Sequence, residues 1–119
     1  MKLQDHFDSE SLDILRDVMD DEFDDLITLF VNDSESRLPK MNAAWVQQDV
    51  AGLGNLSHSF KGASGNVCAA ALSHCNKELE DFLRDKEADD VDWTEARQLL
   101  AAINQEFAAV KECIQRHFH

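Results

Sequence analysis

The chain has 119 residues, a formal net charge of −13, 44% hydrophobic residues and only five glycine and proline residues together (four Gly, one Pro). This length predicts a single domain spanning residues 1–119, and the scarcity of turn-forming residues argues against a β-sandwich or β-barrel. The negative charge argues against nucleic acid and anionic membranes as partners, and no apolar run approaches the roughly 20 residues of a membrane span.

Apolar residues recur at spacings of three and four along most of the chain, which predicts amphipathic helices. The first helix is predicted near Ser9 to Met19, with Ser9 or Ser11 as its N-cap. The second is predicted from about Asp20 towards Gln48. Pro39 should kink this helix without ending it, because the apolar stripe continues beyond the proline.

The third helix is predicted from about Val50 to Asn66, with Asp49 as its N-cap. The fourth is predicted from about Ala69 to Lys86, the acidic stretch Asp85–Asp92 is predicted to be a loop, and the fifth helix is predicted from about Asp92 to Arg116. Helices of roughly 15 to 28 residues suit an all-α, antiparallel up-and-down bundle.

The surroundings of His58 on the third helix are unusual. None of the 24 acidic residues falls between Val50 and Lys77, and all four glycines lie close to His58 in the sequence. At about 100° per residue, the apolar stripe of this helix falls between about 140° and 200° from His58. The stripe consists of Leu56, Phe60, Ala63 and Val67. The histidine should therefore point directly away from the core. Its neighbours on the exposed face would be Gly54, Asn55, Lys61, Gly62 and Gly65.

These residue types suit the transfer of an anionic group. Neutral imidazole is a nucleophile, and the neutral form of histidine predominates near pH 7. Lys61, one helical turn from His58, is placed to neutralise an anion on the ring. Gly62 leaves the ring unshielded, although an interior glycine costs a helix roughly 1 kcal/mol. We interpret this face as a surface without carboxylates that accepts an anion from a docking partner.

The segment His58-Ser-Phe-Lys-Gly-Ala-Ser64, followed by Leu72 and the pair Leu79-Glu80, resembles the histidine-containing phosphotransfer (HPt) domain of two-component phosphorelays. The resemblance implies a four-helix bundle with an additional short N-terminal helix. It also implies that the histidine accepts a phosphoryl group from the phospho-aspartate of one receiver domain and passes it to another. His58 would be the phosphoacceptor and Lys61 would stabilise the phosphoryl group.

The resemblance further implies a phosphoryl carrier without kinase activity. Its partners would be the receiver domains of a hybrid sensor kinase and of a response regulator. We expect no cofactor or metal of its own, with Mg²⁺ held only by the partner receiver. We also expect a monomer. The expected location is the cytoplasm, since the first residues lack the apolar stretch of a signal peptide. Receiver docking is predicted at Asn55, Gly62 and Gly65, and structural roles near the site are predicted for Phe60 and Ser64.

One position departs from the family pattern. Cys68 stands ten residues after His58, where many members have glycine. Glycine there would ease a left-handed helix end. We therefore expect a different turn, or a shifted boundary with Asn66 in the left-handed conformation. The three cysteines have no CxxC spacing and are expected to pack as small hydrophobic side chains.

Two other functions compete with phosphotransfer. The first is a helical interaction module that binds a receiver or regulator through the same face without transfer. The second is an enzyme with an independent active site, for which the sequence offers no pattern of a polar pocket. His74 and Cys75 on the fourth helix lack the convergent ligand spacing of a metal site, so packing and surface roles are favoured for them.

Overall fold

Five α-helices make up most of residues 2–118, the part of the chain that the computed structural model describes. Helices α2 to α5 form the bundle, and α1 is the additional short N-terminal helix. Connections of only a few residues join α2 to α3 and α3 to α4, so consecutive helices lie side by side and antiparallel. The expected fold class is confirmed. The helices are α1 Ser9–Met19, α2 Phe23–Val46, α3 Val50–Asn66, α4 Ala70–Leu83 and α5 Trp93–His117.

The bounds of α1 and α3 agree with the sequence prediction. The N-cap of α3 is also as predicted, because the Asp49 carboxylate accepts a hydrogen bond of 2.9 Å from the backbone N–H of Gly52. The cap of α1 is different. Asp8, rather than Ser9 or Ser11, has the extended backbone of a cap, and its carboxylate accepts from the Ser11 N–H at 3.2 Å.

The other predicted bounds require correction. Helix α2 begins at Phe23 instead of Asp20, because Asp20 has a positive φ of 48° and starts a 3₁₀ turn that ends at Glu22. Helix α4 ends at Leu83 instead of Lys86, because Arg84 is extended and Asp85 has a φ of 59°.

Smaller differences concern the helix ends. Helix α4 begins at Ala70, one residue later than predicted, and α5 runs one residue further, to His117. Asp92 caps α5 instead of belonging to it, and its carboxylate accepts from the N–H groups of Thr94 and Glu95. Pro39 lies inside α2, which continues past it as expected and ends at Val46, two residues before the predicted Gln48.

The core is formed by one buried face of each bundle helix. Hydrogen bonds from two tryptophan side chains close the end of the bundle at the α2–α3 turn. There the Trp45 indole N–H donates to the carbonyl of Trp93 at 2.8 Å. The Trp93 indole in turn donates to the Ala88 carbonyl at 3.0 Å. The largest fully buried apolar side chains are Leu12, Met41, Leu53, Phe60, Val67, Leu72, Leu79, Ile103 and Val110.

The turn between α3 and α4 differs from the expectation for it. Cys68 itself adopts the left-handed conformation, with a φ of 62°, and Asn66 is the last helical residue. The turn is closed by hydrogen bonds from Cys68 N–H to the Gly65 carbonyl and from Ala69 N–H to the Ser64 carbonyl. A side chain in this conformation costs about 1 kcal/mol. The Cys68 carbonyl also accepts from the Asp8 N–H at 2.9 Å, so the turn anchors the N-terminal segment.

The cysteine side chains lie where small hydrophobic groups pack. Cys113 is fully buried, while Cys68 and Cys75 are half-buried against the core. Burial raises the pKa of all three thiols above the ordinary value, and the nearby Asp8 carboxylate adds to this effect at Cys68. A raised pKa keeps a thiol protonated and poorly reactive at neutral pH, which agrees with a packing role.

Among the described residues, no helix combines the length and the apolar character that crossing a membrane requires.

Candidate functional site

His58 lies in the middle of α3 with its side chain 69% exposed. The buried residues of this helix are Leu53, Ser57, Phe60 and Ser64, whereas Leu56 and Ala63 of the predicted stripe are only half-buried. The core direction is therefore centred at about 220° from His58 on the helical wheel. His58 was predicted to lie directly opposite the core. In the structure it is instead turned towards α4.

A carboxylate from α4 meets His58 there. One oxygen of Glu80, Oε2, lies 2.6 Å from Nδ1 of His58, and the other, Oε1, lies 2.6 Å from Nζ of Lys61. Only 17% of the Glu80 side chain is exposed. The prediction of a surface without carboxylates is therefore wrong. The acid-free segment ends at Lys77 in the sequence, but the antiparallel packing of α4 on α3 places Glu80 beside the histidine.

The ionisation of Glu80 determines which nitrogen of His58 carries the proton. The hydrogen bond from Lys61 lowers the pKa of Glu80 below its ordinary value; burial opposes this shift, and the His58 hydrogen bond adds to it. An ionised carboxylate can only accept hydrogen bonds, so Nδ1 of His58 must be the donor. In the neutral ring, Nε2 then holds an unshared electron pair and faces outward from the contact with Glu80.

Lys61 lies one helical turn from His58, as expected, but its ammonium group already forms an ion pair with Glu80. Its side chain is 31% exposed and bridges to the same carboxylate that holds His58. Its backbone is fixed as well, because the Ser73 hydroxyl on α4 donates to the Lys61 carbonyl at 3.1 Å. The ammonium group and the imidazole are thus held side by side by the two oxygens of Glu80.

The predicted docking residues Asn55, Gly62 and Gly65 are all exposed on α3. A methyl group in place of the Gly62 hydrogen would meet no atom within 4 Å, and one at Gly65 would meet only the Ser73 hydroxyl at 3.9 Å. Both glycines have ordinary helical backbones. Packing within the chain therefore gives no reason for glycine at position 62, despite its cost to the helix.

Phe60 and Ser64 form the inner side of the site, where structural roles were predicted for them. The Phe60 ring is fully buried, with its centroid 6.3 Å from that of Phe107 and 5.1 Å from the guanidinium carbon of Arg37. Ser64 is fully buried, and its hydroxyl has no hydrogen-bond partner among the described residues. Ser64 thus contributes by packing.

Sequence reasoning did not identify Glu80 as a site residue. The sequence did indicate that Glu80 matters, because Leu79-Glu80 belongs to the motif on which the family resemblance rests. The sequence separation of 22 residues from His58 concealed the contact. His74 is also exposed, but its contact is local, with Nε2 lying 2.8 Å from the Glu78 carboxylate one turn along α4.

Comparisons with known proteins agree with this geometry. The family model of the Hpt domain matches residues 25–117, a range that includes His58, Lys61 and Glu80. The chain is also similar to the crystal structure of histidine-containing phosphotransfer protein B (HptB) from Pseudomonas aeruginosa PAO1. The two share 36% sequence identity with a TM-score of 0.84, over 93% of this chain and 92% of that chain. No curated protein shows significant similarity to the chain.

Proposed function

Because the chain belongs to the Hpt domain family, it functions in histidine phosphotransfer within a phosphorelay, and we propose that His58 is the residue that carries the phosphoryl group. One observation carries the assignment to this residue. The exposed imidazole has Nδ1 bound to Glu80, which leaves Nε2 as the free nucleophilic nitrogen at the centre of a face with little side-chain bulk.

The proposed reaction is an attack by Nε2 on the phosphorus of a receiver's phospho-aspartate. The N–P bond forms while the bond from phosphorus to the aspartate oxygen breaks, and the aspartate carboxylate leaves with the electron pair. The Nδ1–H proton stays on the ring, which gains positive charge, and the Glu80 carboxylate stabilises that charge. Transfer to a second receiver is the same exchange with the roles of the two groups reversed.

Lys61 would stabilise the transferred group. Its ammonium lies beside the imidazole in the resting protein, held by the second oxygen of Glu80. A phosphoryl group on Nε2 adds anionic oxygens, which compete with Glu80 for the ammonium. We propose that the domain needs no cofactor or metal of its own, and that Mg²⁺ is held by the receiver.

Receiver domains are the partners of this family, and the docking surface would centre on the exposed side of α3. Asn55, Gly62 and Gly65 would lie in the contact. Leu29 on α2, which is 58% exposed, lines a groove with Ala63 and Asn66 and would extend the surface with an apolar edge. We propose that a monomer binds one receiver of a hybrid sensor kinase or response regulator at a time. The net charge of −13 argues against nucleic acid or membrane at this surface.

Intact mass spectrometry at neutral pH tests the function. The chain is mixed with a prephosphorylated receiver domain, and we expect one added phosphoryl group that is lost in mild acid, as a phosphoramidate is. A module that only binds its partner would form a complex without gaining mass, and family membership does not favour that alternative. Stable binding of several receivers without any mass gain would contradict the proposal.

The variant Gly62→Ala distinguishes the effect of this position on folding stability from its effect on receiver docking. The added methyl group meets no atom of the chain, so we expect the free energy of unfolding to rise by roughly 1 kcal/mol. The same methyl group would project into the receiver contact, so kcat/KM for phosphoryl transfer should fall about tenfold. Thermal unfolding and transfer kinetics measure the two effects. A more stable protein that transfers at the wild-type rate would show that Gly62 does not face the receiver.

A further inference from the structure

A polar groove between α2 and α3 runs beside the phosphoacceptor. One wall belongs to α3 through Ser59, the residue that follows His58, and the other belongs to α2. The groove also contains one carboxylate, that of Asp33, which lies on α2 one helical turn before Arg37. Among the described residues it is not within 4.0 Å of either basic group of the groove. The lining residues are Asp33, Ser36, Arg37, Lys40, Leu56 and Ser59.

Arg37 is held in this groove by contacts that involve no charged side chain of the described residues. Its guanidinium lies 5.1 Å above the buried Phe60 ring, and its Nη2 contacts the Ser59 hydroxyl at a long 3.4 Å. Its Nη1 is shielded from solvent and has no hydrogen-bond partner among residues 2–118. An unsatisfied donor at a shielded position is unfavourable. Nη1 itself is out of reach of a partner, but Arg37 as a whole is only half-buried, so its positive charge remains open to an acceptor that enters the groove.

Lys40 adds a second positive charge to the same wall. It lies one helical turn after Arg37, so the two side chains are neighbours on one face of α2. Within the described part of the chain, neither has a carboxylate within 4.0 Å, whereas Lys61, on the side of α3 that faces α4, is bound to Glu80. Arg37 and Lys40 thus bring together two of the only 11 Lys and Arg residues in a chain with 24 acidic ones.

We propose that this groove, through Arg37 and Lys40, binds a carboxylate side chain of the receiver domain that docks on His58. The inference rests on the proposed function and adds a determinant of partner choice. Guanidinium groups bind carboxylates in a fixed, bidentate geometry, and stacking on Phe60 limits the motion of this one before the partner arrives. The chain as a whole repels acidic partners, so a local cation pair contributes to orientation and selectivity.

The test compares Arg37→Gln, Lys40→Gln and the double variant with Arg97→Gln. Arg97 is a matched control, because it is exposed on α5 and its guanidinium also lies over an aromatic ring, 5.5 Å from that of Trp45. The probe is a purified receiver domain. Its Kd is measured unphosphorylated, and KM and kcat for transfer are measured after phosphorylation. Each groove variant should raise Kd and KM by roughly three- to tenfold with kcat nearly unchanged, and should weaken the salt dependence of both constants.

The inference would be overturned if Lys40→Gln and Arg37→Gln both left Kd and KM unchanged. It would also be overturned if Arg97→Gln had an equal effect, because the effect would then come from the overall charge of the chain and not from a specific site. Lys40→Gln decides the matter if loss of the Phe60 contact unfolds Arg37→Gln. The proposed function fails separately, if the wild-type chain binds the receiver but gains no phosphoryl group. In that event the Kd values still test the groove.

Discussion

His58→Gln is expected to abolish phosphorylation of the chain while leaving the fold and receiver binding intact. Glutamine has no nucleophilic nitrogen, so no N–P bond can form. The side chain is 69% exposed and contributes no core packing, so the free energy of unfolding should change by less than about 0.5 kcal/mol apart from the lost contact with Glu80. Intact mass after mixing with a prephosphorylated receiver and binding of the unphosphorylated receiver are the two measurements.

His74→Gln is the control for this experiment. His74 has the same exposed fraction, 69%, and also contacts a glutamate, but it lies on α4 and its partner is Glu78 instead of Glu80. It should accept and donate the phosphoryl group as the wild type does. Phosphorylation that persists in His58→Gln and disappears in His74→Gln would reassign the acceptor. If His58→Gln still binds the receiver, docking does not depend on the residue that carries out the phosphoryl transfer.

Glu80→Gln should slow phosphoryl transfer by roughly 10- to 100-fold, the size of effect seen when a carboxylate that orients a metal-binding histidine is removed. Two losses combine. The amide does not require Nδ1 to be the protonated nitrogen, so the ring is no longer restricted to the form with a free Nε2. The amide also carries no charge to stabilise the ring as the N–P bond forms. Rapid-quench kinetics with a phosphorylated receiver measure the rate.

Glu78→Gln is the matched control, because Glu78 also holds a histidine at 2.8 Å but takes no part in the site. Its transfer rate should equal that of the wild type. If Glu80→Gln transfers at an unchanged rate, Glu80 is only a structural neighbour of His58. If both variants are equally slow, the effect comes from the charge of α4 as a whole and not from the contact with His58.

The same contact predicts how stability depends on pH. The pKa of Glu80 is lowered below its ordinary value of 4.5, with the Lys61 hydrogen bond as the largest cause. A carboxyl group with a lowered pKa in the folded state stabilises the protein above its unfolded pKa, and this contribution is lost as the pH falls through the folded value. The difference in thermal stability between wild type and Glu80→Gln should therefore be present at neutral pH and disappear in acid below 4.5.

The sequence was sufficient to predict the helices, since apolar periodicity is a local property. It placed α1 and α3 within their observed bounds and identified Asp49 as a cap, because capping depends on residues three positions apart. It failed at the end of α4 and the start of α2. There, single residues with positive φ, Asp85 and Asp20, end the helical pattern although their sequence neighbours suit a helix.

The inner face of α3 shows the limit of pattern reasoning. Leu56 and Ala63 are apolar and were assigned to the core, yet Ser57 and Ser64 are the residues that are fully buried. Small side chains fit where helices pack closely, and Ser57 satisfies its hydroxyl by donating to the Leu53 carbonyl at 2.9 Å. Cys68 is a similar case, because closure of the turn imposes a left-handed conformation on a residue with a side chain.

The sequence by itself determined the bundle, the exposure of His58 and the resemblance that leads to phosphotransfer, because each depends on residue types at short spacings. Only the tertiary structure brought Glu80 to Nδ1 of His58 and to Lys61, and placed Arg37 over Phe60 beside Ser59. Those contacts join residues about 20 positions apart on neighbouring helices. Their geometry depends on the rotation and register of one helix against another, which core packing sets and which no local pattern encodes.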